Sequence, residues 1–199
     1  DASGLALRSG HVALEMIESD PAGTIAIARR LGIEKVFAPY LAAEDRPANS
    51  DEWAAFAKRL AAAGKPLQAA GLVFGWHNHD FECLPTPQGD TPLDLIVAAG
   101  DDIMLELDLG WVKRAGFDPR EWVEKYAGRI TTAHLKDIAP HGDCSDEDGW
   151  ADVGHGIMDW APIHSALQVA GVDHYVVEHD NPSDDQRFAA RSLASVQNF

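Results

Sequence analysis

Histidines, carboxylates and one lysine recur where apolar segments of this chain end. They are His11, His77, His79, Glu82, Glu106, Asp108, His134, Lys136, Glu178 and Asp180. Mixed imidazole and carboxylate donors suit Mn, Fe, Co or Zn better than they suit a purely hard cation such as Ca²⁺. The residue types therefore predict a site for a single divalent metal ion.

The spacing of these residues fits strands whose side chains converge on one ion. Side chains alternate along a strand, so His77 and His79 share a face, as do Glu106 and Asp108. Structural roles are open for the same residues. Asp108 could begin a turn, Glu106 is one pleat deeper and could be an ion-pair partner, and Glu178 could pair with a lysine or arginine.

The elements that would position these residues alternate regularly between strand and helix. Strands are predicted at 5–14, 33–41, 72–78, 103–108, 130–136 and 174–178. Helices are predicted over 21–31, 50–70, 91–99, 118–128, 159–170 and 183–196, with a kink or a break at Gly64–Pro66. Six such units imply a parallel sheet, either doubly wound or part of an eight-fold barrel, with the site beyond the C-terminal strand ends. Residues 138–155 form a long loop, which is predicted to be a lid.

Length, charge and cysteine content exclude several classes of partner. The chain has 199 residues, 32 acidic against 16 basic, and a net charge of −16. This acidity argues against binding to nucleic acid or to an anionic membrane surface. No apolar run approaches the roughly 18–20 residues of a membrane span. Cys83 and Cys144 form no disulfide framework, which favours a reducing, cytoplasmic compartment.

Five motifs in order resemble the xylose-isomerase-like TIM barrels, a family that includes sugar-phosphate isomerases, epimerases and inosose dehydratases. The motifs are FGWHNHDFE at 74–82, LELDLGW at 105–111, HLKD at 134–137, VGHGIMDW at 153–160 and YVVE at 175–178. The resemblance implies an α/β fold of the (β/α)8 type. It also implies a small sugar substrate and one divalent ion (Mn, Co, Zn or Mg, with Mn favoured).

The resemblance assigns metal ligands to particular positions. The family's ligands from its last three strands correspond to Asp108, His134 and Glu178. The fifth-strand ligand is assigned to His79, with Glu82 as the alternative, because Gly75 corresponds in register to the usual ligand position.

The resemblance also implies roles in catalysis and substrate binding. Glu178 is expected to be a possible base as well as a ligand, with His77 or Glu82 as the opposite acid or base. Lys136 is expected to neutralise an oxyanion or to bind a hydroxyl group, and a salt bridge from Lys136 to Asp137 or Glu106 is the structural alternative. Substrate contacts are expected at His11, Trp111 and His155.

The first strand of this chain resembles the third strand of the family's barrel. On that basis residues 1–199 are expected to be one barrel domain of six βα units that lacks the first two. Such a chain would be a fragment of a longer polypeptide or would close its open sheet edges as a homo-oligomer. The opening residues 1–4 are expected to end a helix, with Gly4 in the left-handed conformation.

The family's chemistry is movement of a proton beside a sugar carbonyl. A metal-dependent isomerase or epimerase that works through an enediolate is therefore the first expectation. A dehydratase or lyase acting on a keto-inositol or keto-sugar is the alternative, and a non-catalytic barrel that binds a ligand is another. The net charge of −16 argues against the endonuclease relatives of this family, which act on DNA. An unphosphorylated or oxidised sugar is favoured because cations are few.

Overall fold

A computed structural model describes residues 4–199 and divides the chain into two compact units. The first unit ends at Glu106 and the second begins at Leu107. Gly4 has a φ of 68°, which is the left-handed conformation predicted for it. The helix end that was expected before Gly4 falls on residues 1–3, which lie outside the described residues.

The strands of the first unit form a parallel sheet in the order β1, β2, β3, β4. They are Ser9–His11 (β1), Lys35–Ala38 (β2), Val73–His77 (β3) and Ile103–Asp108 (β4), the last of which continues into the second unit. His11 is opposite Phe37, Phe37 is opposite Gly75, and His77 is opposite Glu106. This register brings the C-terminal ends of the strands, with their histidines, to one edge of the sheet.

Two of the four helices that the first unit contains within residues 4–106 begin at a side-chain cap. The four helices are Leu14–Ser19 (α1), Pro21–Leu31 (α2), Ser50–Ala69 (α3) and Pro92–Ala98 (α4). The Asp20 carboxylate accepts a hydrogen bond from Gly23 N at 2.8 Å and begins α2. Asn49, rather than the predicted Ser50, caps α3 by accepting from Glu52 N at 3.0 Å. None of the helices in residues 4–199 has the length and apolar run needed to cross a membrane.

Of the predicted kink or break at Gly64–Pro66, the break is wrong, because α3 continues through these residues to Ala69. Pro66 and Ala62, the residue whose carbonyl loses its helical donor, are both exposed, so water can solvate that carbonyl. Gly64 serves packing instead, since a Cβ atom there would lie 2.2 Å from the ring of Phe74. Gly64 thus allows α3 to pack closely against Phe74 of the sheet.

The second unit contains the remaining strands and four helices. Its strands are Ile130–Leu135 (β5), Asp137–Ile138 (β6), Trp150–Ala151 (β7) and Tyr175–Val177 (β8). Its helices are Leu109–Arg114 (α5), Pro119–Lys125 (α6), Trp160–Val169 (α7) and Asp185–Val196 (α8). β5 and β8 are parallel, with His134 opposite Val176. Each predicted strand is present, whereas the six-residue helices α1 and α5 were not predicted.

The long loop at 138–155 contains an antiparallel ribbon formed by β6 and β7. Ala139 N donates to Gly149 O at 2.9 Å, and Ile157 N donates to Ile138 O at 2.8 Å. These two bonds close the base of the loop at 138–155, which is called the excursion below. Its tip holds a short 3₁₀ turn at Ser145–Glu147.

Each unit has its own apolar core, and polar residues lie buried at the strand ends. Phe37, Phe74, Trp76 and Leu105 are buried in the first unit, and Leu107, Leu109, Leu135, Trp150 and Leu167 are buried in the second. Strands buried on both faces are typical of parallel sheets covered by helices. The buried polar residues include His77, Glu82, Glu106, Asp108, His134, Lys136 and Asp137. Polar groups in such positions need specific partners.

Candidate active site

A cluster of charged side chains occupies the C-terminal strand ends of the second unit. His134 Nδ1 lies 2.8 Å from Glu178 Oε2 and 3.6 Å from Asp108 Oδ2. Lys136 Nζ donates to Asp180 Oδ1 at 2.6 Å and to Glu178 Oε2 at 3.2 Å, and it lies 3.8 Å from Asp108 Oδ2. The structure therefore brings together three predicted metal ligands and the predicted catalytic lysine.

The local fold explains why these side chains converge. His134 lies in β5 and Lys136 directly follows that strand, and both side chains approach Glu178 Oε2. Asp108 ends β4, and its Oδ1 accepts from Trp111 N at 2.9 Å to begin α5, while Oδ2 faces His134. The interpretation of Asp108 as a residue that begins a turn is thus confirmed, and its role as a metal ligand stays a prediction. Glu178 follows β8, where its backbone N–H donates to Leu135 O at 3.2 Å.

The charges of the cluster shift the pKa values of its carboxyl groups. Burial raises the pKa of Asp108, and the neighbouring His134 and Lys136 offset this in part. Burial alone would also raise the pKa of Glu178, but the hydrogen bond and charge of His134, together with Lys136, lower it to about 2. Glu178 is therefore a carboxylate across the physiological pH range.

Asp108, His134 and Glu178 fit a divalent ion by their chemistry and spacing. Ligand atoms bound to one ion at about 2.0–2.2 Å lie roughly 3 to 3.5 Å from one another. The distances of 2.8 and 3.6 Å from His134 Nδ1 to the two carboxylates are close to this range. Two carboxylates and one imidazole suit Mn, Co, Zn or Fe.

Lys136 is enclosed by aromatic rings as well as carboxylates. Its Nζ lies 5.1 Å from the ring centroid of Trp111 and 4.5 Å from that of Trp150. The side chain is 1% exposed, so its charge acts in a region of low dielectric constant. Trp111, a predicted substrate contact, is thus a direct neighbour of the lysine. Among residues 4–199, the salt bridges of Lys136 run to Asp180, Glu178 and Asp108, and not to the predicted alternatives Asp137 or Glu106.

A second cluster lies at the strand ends of the first unit. His11 Nε2 forms a hydrogen bond with Glu106 Oε2, and His77 Nδ1 lies 3.5 Å from the same oxygen. The two imidazole rings are 4.8 Å apart. Glu106, which is buried, therefore joins the predicted substrate contact His11 to the predicted acid or base His77. Gly75 stands at the position where the resemblance places the usual fifth-strand ligand. A side chain would not fit there, because a Cβ atom would lie 1.9 Å from Met104 O.

The turn after β3 contains His79 and Glu82. The ring of His79 lies 5.1 Å from that of His77 and 5.0 Å from that of Tyr40. Glu82 is fully buried, accepts from Trp76 Nε1 at 2.8 Å and accepts from His79 N at 2.9 Å. Burial raises the pKa of Glu82 to about 8. One oxygen of Glu82 thus connects the turn to Trp76 of β3, and the other bonds within the turn.

The segment 138–155 is tied to α8 by ion pairs. Arg187 donates to Glu147 Oε1 at 2.8 Å, and Ser183 Oγ bonds to the same oxygen. Arg191 donates to Asp152 Oδ2 at 2.8 Å. His155, a predicted substrate contact, is exposed with Nε2 3.4 Å from Ser195 Oγ of α8. The second unit thus places His155 on the α8 side of this segment.

Replacing Glu147 with glutamine is expected to weaken this attachment. Ser183 and Arg187 hold the pKa of Glu147 at about 2, below its ordinary 4.5. A depressed carboxyl pKa stabilises the fold fully above about pH 4.5, and this stabilisation is lost as the pH falls towards 2. Urea unfolding of Glu147→Gln should show a free energy of unfolding about 1–2 kcal/mol lower at pH 7, with a flatter decline in acid. Asp146→Asn in the same turn is the control, and equal pH profiles for the wild type and Glu147→Gln would contradict the assignment.

Sequence reasoning gave no role to Asp180, which forms the shortest recorded bond to Lys136 in the cluster. The sequence does indicate a position near the site, because Asp180 stands two residues after Glu178.

Comparison with known families finds a match over most of the chain. Residues 22–197 match the family described as Xylose isomerase-like TIM barrel. The chain is 26% identical over 147 residues to an inosose dehydratase from Lacticaseibacillus casei, a match that covers 67% of this chain and 49% of that protein. The chain therefore spans about half the length of this curated relative.

Solved structures show the same fold. A sugar phosphate isomerase/epimerase from Parabacteroides distasonis is 24% identical with a TM-score of 0.82, covering 99% of this chain and 72% of that chain. The IolI protein, solved with a bound zinc atom, is 18% identical with a TM-score of 0.76, covering 97% of this chain and 76% of that chain. The predicted α/β fold of the TIM-barrel type is confirmed.

Proposed function

Because the chain belongs to the xylose isomerase-like TIM-barrel family, we propose that it is a metal-dependent isomerase or epimerase of a sugar or keto-sugar. The observation that carries the proposal is the convergence of Asp108, His134 and Glu178 beside the buried Lys136. The imidazole and the ammonium group each lie within 4 Å of the same two carboxylates, an arrangement suited to a cation site and to a donor for a developing oxyanion.

One divalent ion held by Asp108, His134 and Glu178 is part of this proposal, with Mn²⁺ favoured. Bound there, it would supply Lewis-acid polarisation of a carbonyl or hydroxyl oxygen. Glu178, with a pKa of about 2, would remain a carboxylate and act as a ligand.

Lys136 is proposed to donate from Nζ to the substrate oxygen on which negative charge develops. Asp180 and Glu178 hold this ammonium group by bonds of 2.6 and 3.2 Å, and the enclosing rings exclude water. A charge fixed before reaction stabilises a transition state without reorganisation at the moment of reaction.

In the first unit, His77 is proposed to move the proton at carbon. Glu106 lies 3.5 Å from His77 Nδ1 and bonds to His11, an arrangement that fixes the orientation of the imidazole. Glu82 is a weaker candidate, because its two oxygens already accept hydrogen bonds from Trp76 of β3 and from His79 N.

A dehydratase or lyase is the second candidate function. The observation that favours it is the 26% identity to an inosose dehydratase over 147 residues. The same residues would serve, because removal of a proton beside a carbonyl also precedes expulsion of a β-hydroxyl group.

Isotope exchange distinguishes these reactions. Mn²⁺-loaded protein incubated in D₂O with fructose or with a keto-inositol is expected to place solvent deuterium on carbon without forming an unsaturated product, as followed by NMR. Lys136→Met should slow the exchange by about 100-fold, while the control Lys113→Met should leave it unchanged. An absorbing enone would favour the dehydratase, and neither outcome with metal bound would contradict both functions.

A further inference from the structure

Arg46 lies in the connection after β2, at the same end of the first-unit sheet as His77. Its Nε donates to Leu41 O at 3.2 Å, and its Nη2 donates to the Tyr40 hydroxyl oxygen at 3.1 Å. Both partners are neutral. An arginine has five N–H donors, so three remain to bind another group.

The guanidinium plane of Arg46 is held in place by aromatic rings. Its Cζ lies 3.7 Å from the ring centroid of Phe81 and 5.5 Å from that of Tyr40. Stacking and the two hydrogen bonds fix the planar fork of guanidinium N–H donors before any ligand binds. This reduces the entropy lost on binding. The side chain is half-buried, and Tyr40 beside it is 51% exposed.

Arg46 differs from Arg59 and Lys65 of the first unit in its electrostatic surroundings. Arg59 bonds to Glu15 and Glu18, and Lys65 bonds to Asp102. Within residues 4–199, by contrast, Arg46 forms no ion pair with a carboxylate, and its charge offsets only a part of the rise in the pKa of the buried Glu82. In a chain with a net charge of −16, a positioned guanidinium without such a partner is suited to an anionic group from outside.

A row of rings connects Arg46 with the proposed catalytic histidine. Phe81 stacks on His79 with centroids 6.0 Å apart and planes inclined by 16°. His79 in turn lies 5.1 Å from His77. A ligand that contacts His77 and extends along this row reaches Arg46.

We propose that the ligand of this site is a sugar that bears a carboxylate, and that Arg46 binds this carboxylate through its fork. The inference rests on the proposed function and names its substrate class. Carboxylate is favoured over phosphate because one guanidinium balances one negative charge. Nearby acidic side chains (Glu44, Asp45, Asp51 and Glu52) also repel a dianion more strongly.

Calorimetric titration of the Mn²⁺-loaded protein tests this assignment. The probes are glucuronate, glucose and glucose 6-phosphate, and the variants are Arg46→Met and Arg46→Lys. Glucuronate is expected to bind the wild type more tightly than glucose does. Arg46→Met should weaken glucuronate binding by about 10- to 100-fold without changing glucose binding. Arg46→Lys should recover only part of the loss, because a lysine lacks the planar fork.

Arg59→Met is the matched control, since it removes an arginine that already has carboxylate partners. The inference is overturned if glucuronate binds no more tightly than glucose, or if Arg46→Met binds glucuronate as the wild type does. It is also overturned if glucose 6-phosphate is the probe whose tight binding depends on Arg46. Metal content and isotope exchange are measured separately, so loss of either would count against the proposed function and not against the role of Arg46.

Discussion

Replacing His134 with alanine is expected to release the bound divalent ion. The change removes the imidazole that lies 2.8 Å from Glu178 and 3.6 Å from Asp108, leaving two carboxylates that Lys136 can pair with instead. Loss of a ligand should lower metal affinity by at least about 100-fold. Elemental analysis of dialysed wild-type protein should find about one ion per chain, and His134→Ala should retain less than about a tenth of it.

His164→Ala is the matched control, because it removes a histidine of the same unit whose ring packs on Tyr175. It should keep its metal. Circular dichroism is the measurement that checks whether both variants are folded. If folded His134→Ala binds metal as the wild type does, the assignment of Asp108, His134 and Glu178 as ligands is wrong.

Replacing Asp137 with alanine is expected to cause the largest loss of stability. Its Oδ1 accepts from Ile138 N at 2.9 Å and from Met158 N at 3.1 Å. Its Oδ2 accepts from Gly154 N at 2.9 Å and from Trp160 Nε1 at 2.8 Å. Because the carboxylate is fully buried, its removal leaves four donors without an acceptor. The free energy of unfolding, measured with urea, should fall by about 4 kcal/mol.

Asp143→Ala provides the comparison, since Asp143 is an exposed acidic residue in the same segment. It should change the free energy of unfolding by less than about 0.5 kcal/mol. Asp137→Asn should fall between the two, because its amide oxygen can still accept. Equal stability of Asp137→Ala and Asp143→Ala would show that this carboxylate does not anchor residues 154–160.

The strand pattern could be predicted because it depends on local chemistry. Apolar runs that end in polar residues identify β4 and β5, and alternation places Glu106 and Asp108 of β4 on one face. The six-residue helices α1 and α5 are too short for a helical period to show in the sequence. Their positions follow from tertiary packing and from the cap that Asp108 provides.

The choice between His77 and His79 illustrates where the sequence was insufficient. Alternation predicts that both share a face, but this holds only while the strand continues. β3 ends at His77, and Glu82 then bonds to His79 N in a turn. The strand end depends on a buried carboxylate three residues further on. Nothing in the sequence indicated a binding role for Arg46, because a loop residue belongs to no periodic pattern from which its position could be predicted.

The closed base of the excursion at 138–155 has a consequence for protein engineering. The bonds from Ile157 N to Ile138 O and from Ala139 N to Gly149 O join its two stems independently of what lies at the tip. A tip exchanged for a segment of different length would leave both stems connected. This excursion is therefore a suitable place for loop grafting, in which new specificity is introduced without redesign of the strands that carry His134 and Glu178.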